Sequence, residues 1–307
     1  MSAVIPDRAR VVVIGGGVIG TSVAYHLTRL GWTDVLLLEQ GRLSSGTTWH
    51  AAGLVGQLRA SESGTRLVQY SAALYASLEA ETGLSTGWKM CGGLTVARTE
   101  DRMTQLRRTA ANAVAYDLDC ELLTPAQVAE RCPILRTDDL VGGIWLPQDG
   151  KANPTDLTSS LARGARMGGA RIVEKARVVG VDLVAGPDRP RATGVSYDGP
   201  DGPGHVEAEV VVNCAGQWAK ALGDLAGVTV PLHSAEHFYV VTEPFAGSAQ
   251  ICRCCATPTA TRTSRRRSAA WSSAGSSPRR SRGCPPTRSR TPSSSSCSRR
   301  TGSTSRC

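Results

Sequence analysis

The chain has 307 residues and a formal net charge of +9, but that charge is concentrated at one end. Residues 251–307 contain 13 of the 35 Lys and Arg residues and none of the 26 Asp and Glu residues. Residues 1–250 therefore carry 22 basic and 26 acidic side chains, a mildly acidic balance that excludes a basic nucleic-acid-binding domain as the body of the protein.

The cysteines and the N-terminus predict a cytoplasmic protein. Outside the tail lie Cys91, Cys120, Cys132 and Cys214, widely spaced and without a Cys-x-x-Cys pair. This spacing argues against a zinc site and is typical of reduced thiols. From the cysteine spacing we expect no metal. The segment before the first predicted strand, residues 1–9, is short and polar, and no apolar run is long enough to cross a bilayer, so we expect no membrane span.

The first predicted element is a buried parallel strand, followed by a glycine-rich turn and a helix. Residues 11–14 are apolar and β-branched, which is typical of a strand buried on both faces. The glycines after it fit G-x-G-x-x-G, which permits a tight turn, close approach of the backbone to a pyrophosphate and close packing of the next helix. That helix is predicted over residues 18–30, with its N-terminus toward the phosphates. The residues expected to contact a dinucleotide here are Gly15, Gly17, Val18, Ile19 and Gly20.

A second buried strand ends in an acidic residue. Residues 35–38 are apolar, and Glu39 follows about 20 residues after the glycines, where a carboxylate can accept hydrogen bonds from the ribose hydroxyls of an adenosine. Its charge would repel a 2′-phosphate, so NADP is not expected. A glutamate in solvent at a strand end is the alternative. Glu39 and the next residue, Gln40, are both assigned to a dinucleotide site, which either FAD or NAD could occupy.

The stretch at residues 44–54, SSGTTWHAAGL, separates FAD from NAD. It resembles the dimethylglycine and sarcosine dehydrogenase family of flavoproteins, in the D-amino-acid-oxidase-like superfamily, whose T-W-H-A-A-G histidine carries FAD covalently through its 8α-methyl group. The resemblance implies that His50 is the attachment residue, and a histidine that only packs in a loop is the alternative. It also implies that the FAD is lined by Ser44, Ser45, Thr48, Gly53 and Leu54.

The resemblance covers residues 10–245 almost continuously and implies a fold. That fold is α/β, with a Rossmann-like, doubly wound FAD-binding domain interleaved with the antiparallel sheet of a substrate domain. We assign the cofactor lobe to residues 1–90 and 151–230. The substrate lobe is assigned to residues 91–150 and 231–250, and it is incomplete.

Later segments add to the predicted site. GWKMCGGLTVART, from Gly87, predicts one strand of the substrate sheet, and residues 124–127, T-P-A-Q, predict a capped helix start. In such folds the backbone at Val178 meets the adenine, although a buried strand valine explains this residue equally well. VVVNCAG resembles the second flavin-approach motif, in which Gly216 lets the backbone close on the cofactor, and Trp218 follows it.

PLHSAEHFYVVTEPF, at residues 231–245, resembles the strand that crosses the flavin ring in this family. By that resemblance His237 is the catalytic residue that steers the substrate amine or its proton; His233 could replace it, and a merely packed His237 is a further alternative. The implied function is oxidative demethylation of sarcosine or dimethylglycine by hydride transfer to the flavin, with oxygen or another electron acceptor. The alternatives are oxidation of another secondary amine or amino acid such as proline, and a non-catalytic fragment with a basic tail.

Residues 251–307 have a different composition from the rest of the chain. From Cys252 onward there is no Leu, Val, Ile, Met, Phe or Tyr, so we expect an Arg/Ser-rich, disordered tail. A nucleic-acid-binding tail and a metal tract at Cys252, Cys254 and Cys255 are alternatives. Translation out of frame explains the composition better, because GC-rich codons read one base earlier yield DLPVLRDPDGYTYF from residue 251. We therefore expect a truncated, inactive version of the enzyme and no nucleic-acid partner.

Overall fold

The computed structural model describes residues 5–236, 238–243, 254–257, 262–267 and 270–275. In chain order the strands are β1 (Arg8–Ile14), β2 (Val35–Glu39), β3 (Leu54–Val55), β4 (Lys89–Met90), β5 (Gly93–Ala97), β6 (Glu121–Leu123), β7 (Gly142–Leu146), β8 (Gly150–Lys151), β9 (Arg171–Glu174), β10 (Arg177–Val184), β11 (Arg191–Gly199), β12 (Gly202–Asn213), β13 (Phe238–Thr242), β14 (Cys254–Thr257), β15 (Arg262–Arg267) and β16 (Ala270–Gly275). The α-helices are α1 (Val18–Arg29), α2 (Glu62–Thr82), α3 (Glu100–Ala115), α4 (Pro125–Arg131), α5 (Pro154–Met167) and α6 (Ala219–Leu225), and single-turn 3-10 helices occupy Thr48–His50 and Gly216–Trp218.

A six-stranded sheet carries the glycine-rich turn. Its order is β10-β11-β12-β1-β2-β9, in which β12, β1, β2 and β9 are parallel and β10 to β12 are antiparallel. Val11 and Leu37 pack against α1 and α5 on one face. Val12 and Leu36 pack with Leu222 of α6 on the other. Because both faces are covered, the central strands are apolar throughout, and the expected doubly wound α/β architecture is confirmed.

A seven-stranded sheet forms the second layer, in the order β13-β16-β15-β14-β5-β7-β6. Its neighbouring strands are antiparallel except for the parallel pair of β14 and β5. Leu94 and Trp145 pack with Val128 of α4 on one face, and Ile144 packs with Leu106 of α3 on the other. This is the mainly antiparallel sheet expected beside the cofactor domain.

Three strands of this sheet, β14, β15 and β16, lie within residues 251–307, which we expected to lack secondary structure. β14 is in register with β5, with Cys255 opposite Leu94. Backbone N–H and C=O groups make such a ladder whatever the side chains, so a segment without aliphatic residues can still extend a sheet.

A third sheet has three short strands, in the order β3-β8-β4. The prediction of a single strand from Gly87 is wrong, because that stretch divides into β4 and β5, which belong to different sheets. Gly92 between them has a φ of +75°, and the N–H groups of Cys91 and Gly92 both donate to the backbone carbonyl of Asp149, over 3.1 and 2.8 Å. These bonds turn the chain and end the first strand.

Candidate functional site

A cleft of about 460 Å³ lies at the carboxyl ends of β1, β2 and β12, where open α/β sheets bind their ligands. The structure brings together there predicted residues that are far apart in sequence. Those that line the cleft are Gly15, Gly17, Val18, Ile19, Glu39, Gln40, Thr48, Val178, Gly216 and Trp218.

Two glycines hold the first turn close to neighbouring backbone. Gly15 has a φ of +112°, and a Cβ there would overlap the carbonyl oxygen of Cys214. A Cβ on Gly20 would overlap the carbonyl oxygen of Gly15. Since backbone cannot swing aside as a flexible side chain can, α1 starts this close to β1 only because both positions lack a side chain. The N-terminus of α1, which is the positive end of the helix dipole, therefore opens on the cleft.

Glu39 is buried at the end of β2, and both of its carboxylate oxygens accept backbone hydrogen bonds. The N–H of Gly16 donates to Oε2 over 2.5 Å, and the N–H of Gly41 donates to Oε1 over 2.7 Å. This burial does not agree with the alternative of a glutamate in solvent. A carboxylate oxygen can accept more than one hydrogen bond, so Glu39 keeps acceptor capacity toward the cleft while it fixes the glycine turn.

Residues 44–50 are docked on this same turn. Ser44 is buried with a φ of +64°, and its N–H donates to the carbonyl of Gly16 over 3.0 Å. Thr48 begins the 3-10 helix, and its Oγ1 accepts the N–H of Val18, the first residue of α1, over 3.1 Å. The loop is therefore attached to the glycine turn near both of its ends.

The other wall of the cleft is built from a second glycine turn and from β10. Gly216 has a φ of +54°, and a Cβ there would lie 3.5 Å from Oγ1 of Thr47. A Cβ on Gly46 would lie 3.1 Å from the indole of Trp218, so the indole covers the loop closely. Val178 lines the cleft from β10. The loop at residues 44–50 thus lies between two glycine turns.

His50 ends the 3-10 helix and is exposed, and it is not among the residues that line the cleft. Its imidazole lies on the indole of Trp49, with ring centroids 3.8 Å apart and ring planes inclined by 36°. The 3-10 helix places this imidazole two residues beyond Thr48, which does line the cleft.

Other predicted site residues are likewise not among those that line the cleft, namely Gly20, Ser44, Ser45, Gly53 and Leu54. Oγ of Ser45 accepts the N–H of Arg42 over 3.2 Å. The carbonyl of Gly53, where φ is +72°, accepts the N–H of Ala152 over 2.9 Å, and Leu54 in β3 is opposite Lys151. These contacts lead the chain out of the loop and into the three-stranded sheet.

The predicted catalytic residue, His237, lies outside the described residues. Its alternative, His233, is exposed in the segment before β13.

The sequence patterns did not single out Asp149, which the structure buries between β7 and β8. Its Oδ1 accepts the backbone N–H of Gln57 over 2.8 Å. The side chain of Gln57 in turn donates from Nε2 to the backbone carbonyl of Gln148 over 2.6 Å. Burial raises the pKa of Asp149 from 3.8 to about 6, although the hydrogen bond from Gln57 and the charge of Arg59 act in the opposite direction. No motif marks this residue, because its partner is 92 positions away.

Asp149→Asn is expected to make the protein more stable at pH 7. It is also expected to make the free energy of unfolding depend less on pH between about pH 4 and pH 6. Between about pH 4 and pH 6 the folded state binds a proton that the unfolded state has released, so the free energy of unfolding falls as pH rises through that window and is level above it. The raised pKa corresponds to a penalty of about 3 kcal/mol at neutral pH. Asparagine avoids the penalty and keeps an oxygen for the N–H of Gln57.

Urea unfolding of both proteins from pH 4 to pH 8 measures this difference. Asp138→Asn is the control, since that carboxylate is exposed and paired with Arg136. A pH profile of Asp149→Asn parallel to that of the unaltered chain would show that the ionisation of Asp149 does not affect stability.

In the part of the chain that the structure describes, no helix combines the length and apolar character needed to cross a bilayer. The same described residues contain no cluster of three or more His, Cys, Asp or Glu side chains suited to a metal ion.

Comparison with known proteins identifies the family. The chain is 39% identical over 246 residues to the mitochondrial pyruvate dehydrogenase phosphatase regulatory subunit of Mus musculus, and 40% identical over 245 residues to the mitochondrial sarcosine dehydrogenase of Homo sapiens. These matches cover 80% and 79% of this chain but 27% and 26% of the relatives, so the chain spans about a quarter of their length.

Its fold is similar to that of L-proline dehydrogenase from P. horikoshii, with a TM-score of 0.79 at 24% identity over 88% of this chain and 70% of that one. The sequence profile described as "FAD dependent oxidoreductase" matches residues 10–268. The chain therefore belongs to the FAD dependent oxidoreductase family.

Proposed function

We propose that this chain is the FAD-binding part of an oxidoreductase that demethylates sarcosine or dimethylglycine. The observation that carries the proposal is the docking of residues 44–50, which contain the N-methylglycine-dehydrogenase-like motif, on the dinucleotide turn through Thr48 and Val18. Family membership and the identity to a sarcosine dehydrogenase support it. Because the chain spans about a quarter of that relative, the activity of the whole protein is itself part of the proposal.

The residues of the cleft fit FAD. Gly15 and Gly17 line the cleft without side chains, and the N-terminus of α1 opens on it, which suits a pyrophosphate. Glu39 offers a carboxylate for the ribose, and the backbone at Val178 is assigned to the adenine. When bound, FAD supplies the acceptor for the electrons of a substrate C–H bond.

We further propose that His50 carries the FAD covalently. The support is the T-W-H-A-A-G motif and the position of His50 beside the cleft, at the end of the docked 3-10 helix. A neutral imidazole is a nucleophile near pH 7, as attachment to the flavin methyl group requires.

In this proposal His237 orients the substrate amine and holds its proton, so that the nitrogen is neutral when its methyl group is oxidised. Water then hydrolyses the oxidised substrate to formaldehyde and the demethylated amine. Oxygen or an electron carrier takes the electrons. We divide the chain into a cofactor lobe, residues 1–90 and 151–230, and a substrate lobe, residues 91–150 and 231–250.

A second candidate function is a non-catalytic one. It is favoured by the 39% identity to the regulatory subunit of Mus musculus, which is close to the 40% identity to the dehydrogenase. In that case the cleft binds FAD without turnover of an amine.

We also propose that residues 251–307 are translated out of frame, which makes this chain truncated and inactive. The composition of the segment and the family-like sequence obtained one base earlier support this. Sequencing the source DNA across the codons for residues 247–252 tests it, and an uninterrupted frame there would disprove it.

The function is tested with two purified proteins, the 307-residue chain and a version with the frame restored. We expect both to be yellow after desalting, and the restored protein to release formaldehyde from sarcosine or dimethylglycine. Proline in parallel assays tests the alternative substrate. A colourless 307-residue chain would contradict the FAD proposal, whereas two yellow proteins without amine oxidation would favour the non-catalytic candidate.

A cytoplasmic location remains our proposal. Its support is that the cysteines at positions 91, 120, 132 and 214 are free thiols, as expected where thiols stay reduced. Both curated relatives named above are described as mitochondrial proteins, so fractionation of cells that express the chain is the relevant measurement.

A further inference from the structure

We infer that Thr48 is the positioning residue for covalent attachment of the flavin, because its hydroxyl fixes the segment that carries His50 to the first turn of α1. The inference rests on the proposed function, in which His50 is the attachment residue. It deepens that proposal by naming the group that aligns the histidine.

The hydrogen bond from Val18 to Thr48 joins residues 30 positions apart. Val18 is the first residue of α1, and the N-cap residue, Gly17, has no side chain with which to cap the helix. Oγ1 of Thr48 accepts the Val18 N–H over 3.1 Å, one of the N–H groups of the first turn that have no acceptor within the helix. A Cβ on Gly17 would lie 2.9 Å from this same Oγ1, so a glycine N-cap is also what allows Thr48 to approach.

The position of His50 follows from that of Thr48 because the two residues begin and end one turn of 3-10 helix. Within that turn the N–H of His50 donates to the carbonyl of Thr47 over 3.3 Å, and the N–H of Ala51 donates to the carbonyl of Thr48 over 3.1 Å. Such a short turn has little rigidity of its own, so its orientation depends on the contacts that hold it. The N–H of Trp49 donates to the carbonyl of Ser44 over 3.3 Å, the turn also contacts α5, and Thr48 supplies the hydrogen bond to α1. Without the hydroxyl, the bonds from Ser44 to Gly16 and from Trp49 to Ser44 remain, but the turn that carries His50 loses the hydrogen bond of Thr48 to α1 and is aligned less closely with it.

Attachment is sensitive to this alignment because it is a bond-forming step between two defined atoms. An imidazole nitrogen of His50 bonds to the 8α-carbon of the flavin, and one methyl C–H bond and the imidazole N–H are lost as two protons. The two electrons released stay on the flavin until dioxygen accepts them and forms hydrogen peroxide. Displacement of His50 slows this step, while the glycine turn and Glu39 still bind the cofactor.

The test uses the 307-residue chain with Thr48→Val, Thr48→Ser and Thr28→Val. Valine matches threonine in shape but lacks the acceptor, and serine keeps it. Thr28→Val makes the same change at a hydroxyl of α1 that donates to the carbonyl of Tyr25 over 2.8 Å, away from the cleft. After FAD is added, two quantities are followed: total bound flavin by its spectrum, and flavin that stays with acid-precipitated protein.

We expect Thr48→Val to form acid-stable flavin about tenfold more slowly than the unaltered chain, because it lacks one hydrogen bond that aligns His50 with the flavin. Thr48→Ser and Thr28→Val should stay within about twofold of the unaltered chain. Equal rates for Thr48→Val and the unaltered chain would overturn the inference and leave the proposed function intact. An unaltered chain that binds no flavin, or none that survives acid, would overturn the proposed attachment and the inference with it.

Should Thr48→Val fail to fold, Thr48→Ala removes the hydroxyl with less bulk and is measured in the same way. Failure of both variants to fold would also overturn the inference, because Thr48 would then serve the fold as a whole rather than the position of His50.

Discussion

His50→Ala is expected to release all of its flavin on acid precipitation while it still binds FAD reversibly. His50 is not part of the cleft wall, so its side chain can be removed without opening the glycine turn or moving Glu39. What is lost is the nucleophile for attachment. The measurement is the flavin absorbance of the acid pellet relative to that of the native protein.

The control for this variant is His205→Ala, which removes an exposed imidazole paired with Asp182 on the antiparallel part of the six-stranded sheet. That variant should keep acid-stable flavin at the level of the unaltered chain. Acid-stable flavin in His50→Ala would show that another residue carries the cofactor and that the family motif has been assigned wrongly here.

Gly20→Ala is expected to lower the affinity for FAD by about 100-fold and to destabilise the fold by about 1 to 3 kcal/mol. The added Cβ would overlap the carbonyl oxygen of Gly15, so α1 must move away from the turn. This movement also disturbs the N–H groups of the first helical turn, which are assigned to the pyrophosphate. Titration of the apoprotein with FAD and urea unfolding measure the two effects.

Gly180→Ala is the matched control, because a Cβ there meets only Ser196, at an ordinary distance of 3.4 Å. It lies in β10, where we expect an alanine to change neither measurement appreciably. If Gly20→Ala bound FAD as tightly as Gly180→Ala, the glycine turn would not be the pyrophosphate site.

The strands, the helix and the glycine turn of the cofactor domain were predictable because each depends on neighbouring residues. An apolar, β-branched run must be buried on both faces, and the helix predicted over residues 18–30 is observed as Val18–Arg29. The cap predicted at residues 124–127 is also present, since Thr124 and Gln127 exchange both bonds of a capping box. Periodicity and capping are local signals, so they can be read from one sequence.

Other features depend on residues that only the fold brings together. The bond between Val18 and Thr48 spans 30 positions, and the bond between Gln57 and Asp149 spans 92, so no spacing rule predicts either. The break between β4 and β5 depends on the same distant Asp149, whose carbonyl turns the chain at Gly92. No apolar pattern marks strands β14 to β16, because composition reports what side chains can bury, whereas a ladder is made by the backbone.

The order of strands in the six-stranded sheet has a consequence for synthesis of the protein. Its last strand in sequence, β12, ends at Asn213 and pairs with β1. All six strands are therefore synthesised before the ribosome reaches the codons of the arginine-rich segment. A change in the sequence after residue 250 leaves every strand of this sheet unaltered, so the half of the molecule with the dinucleotide turn keeps its own sequence whatever follows residue 250.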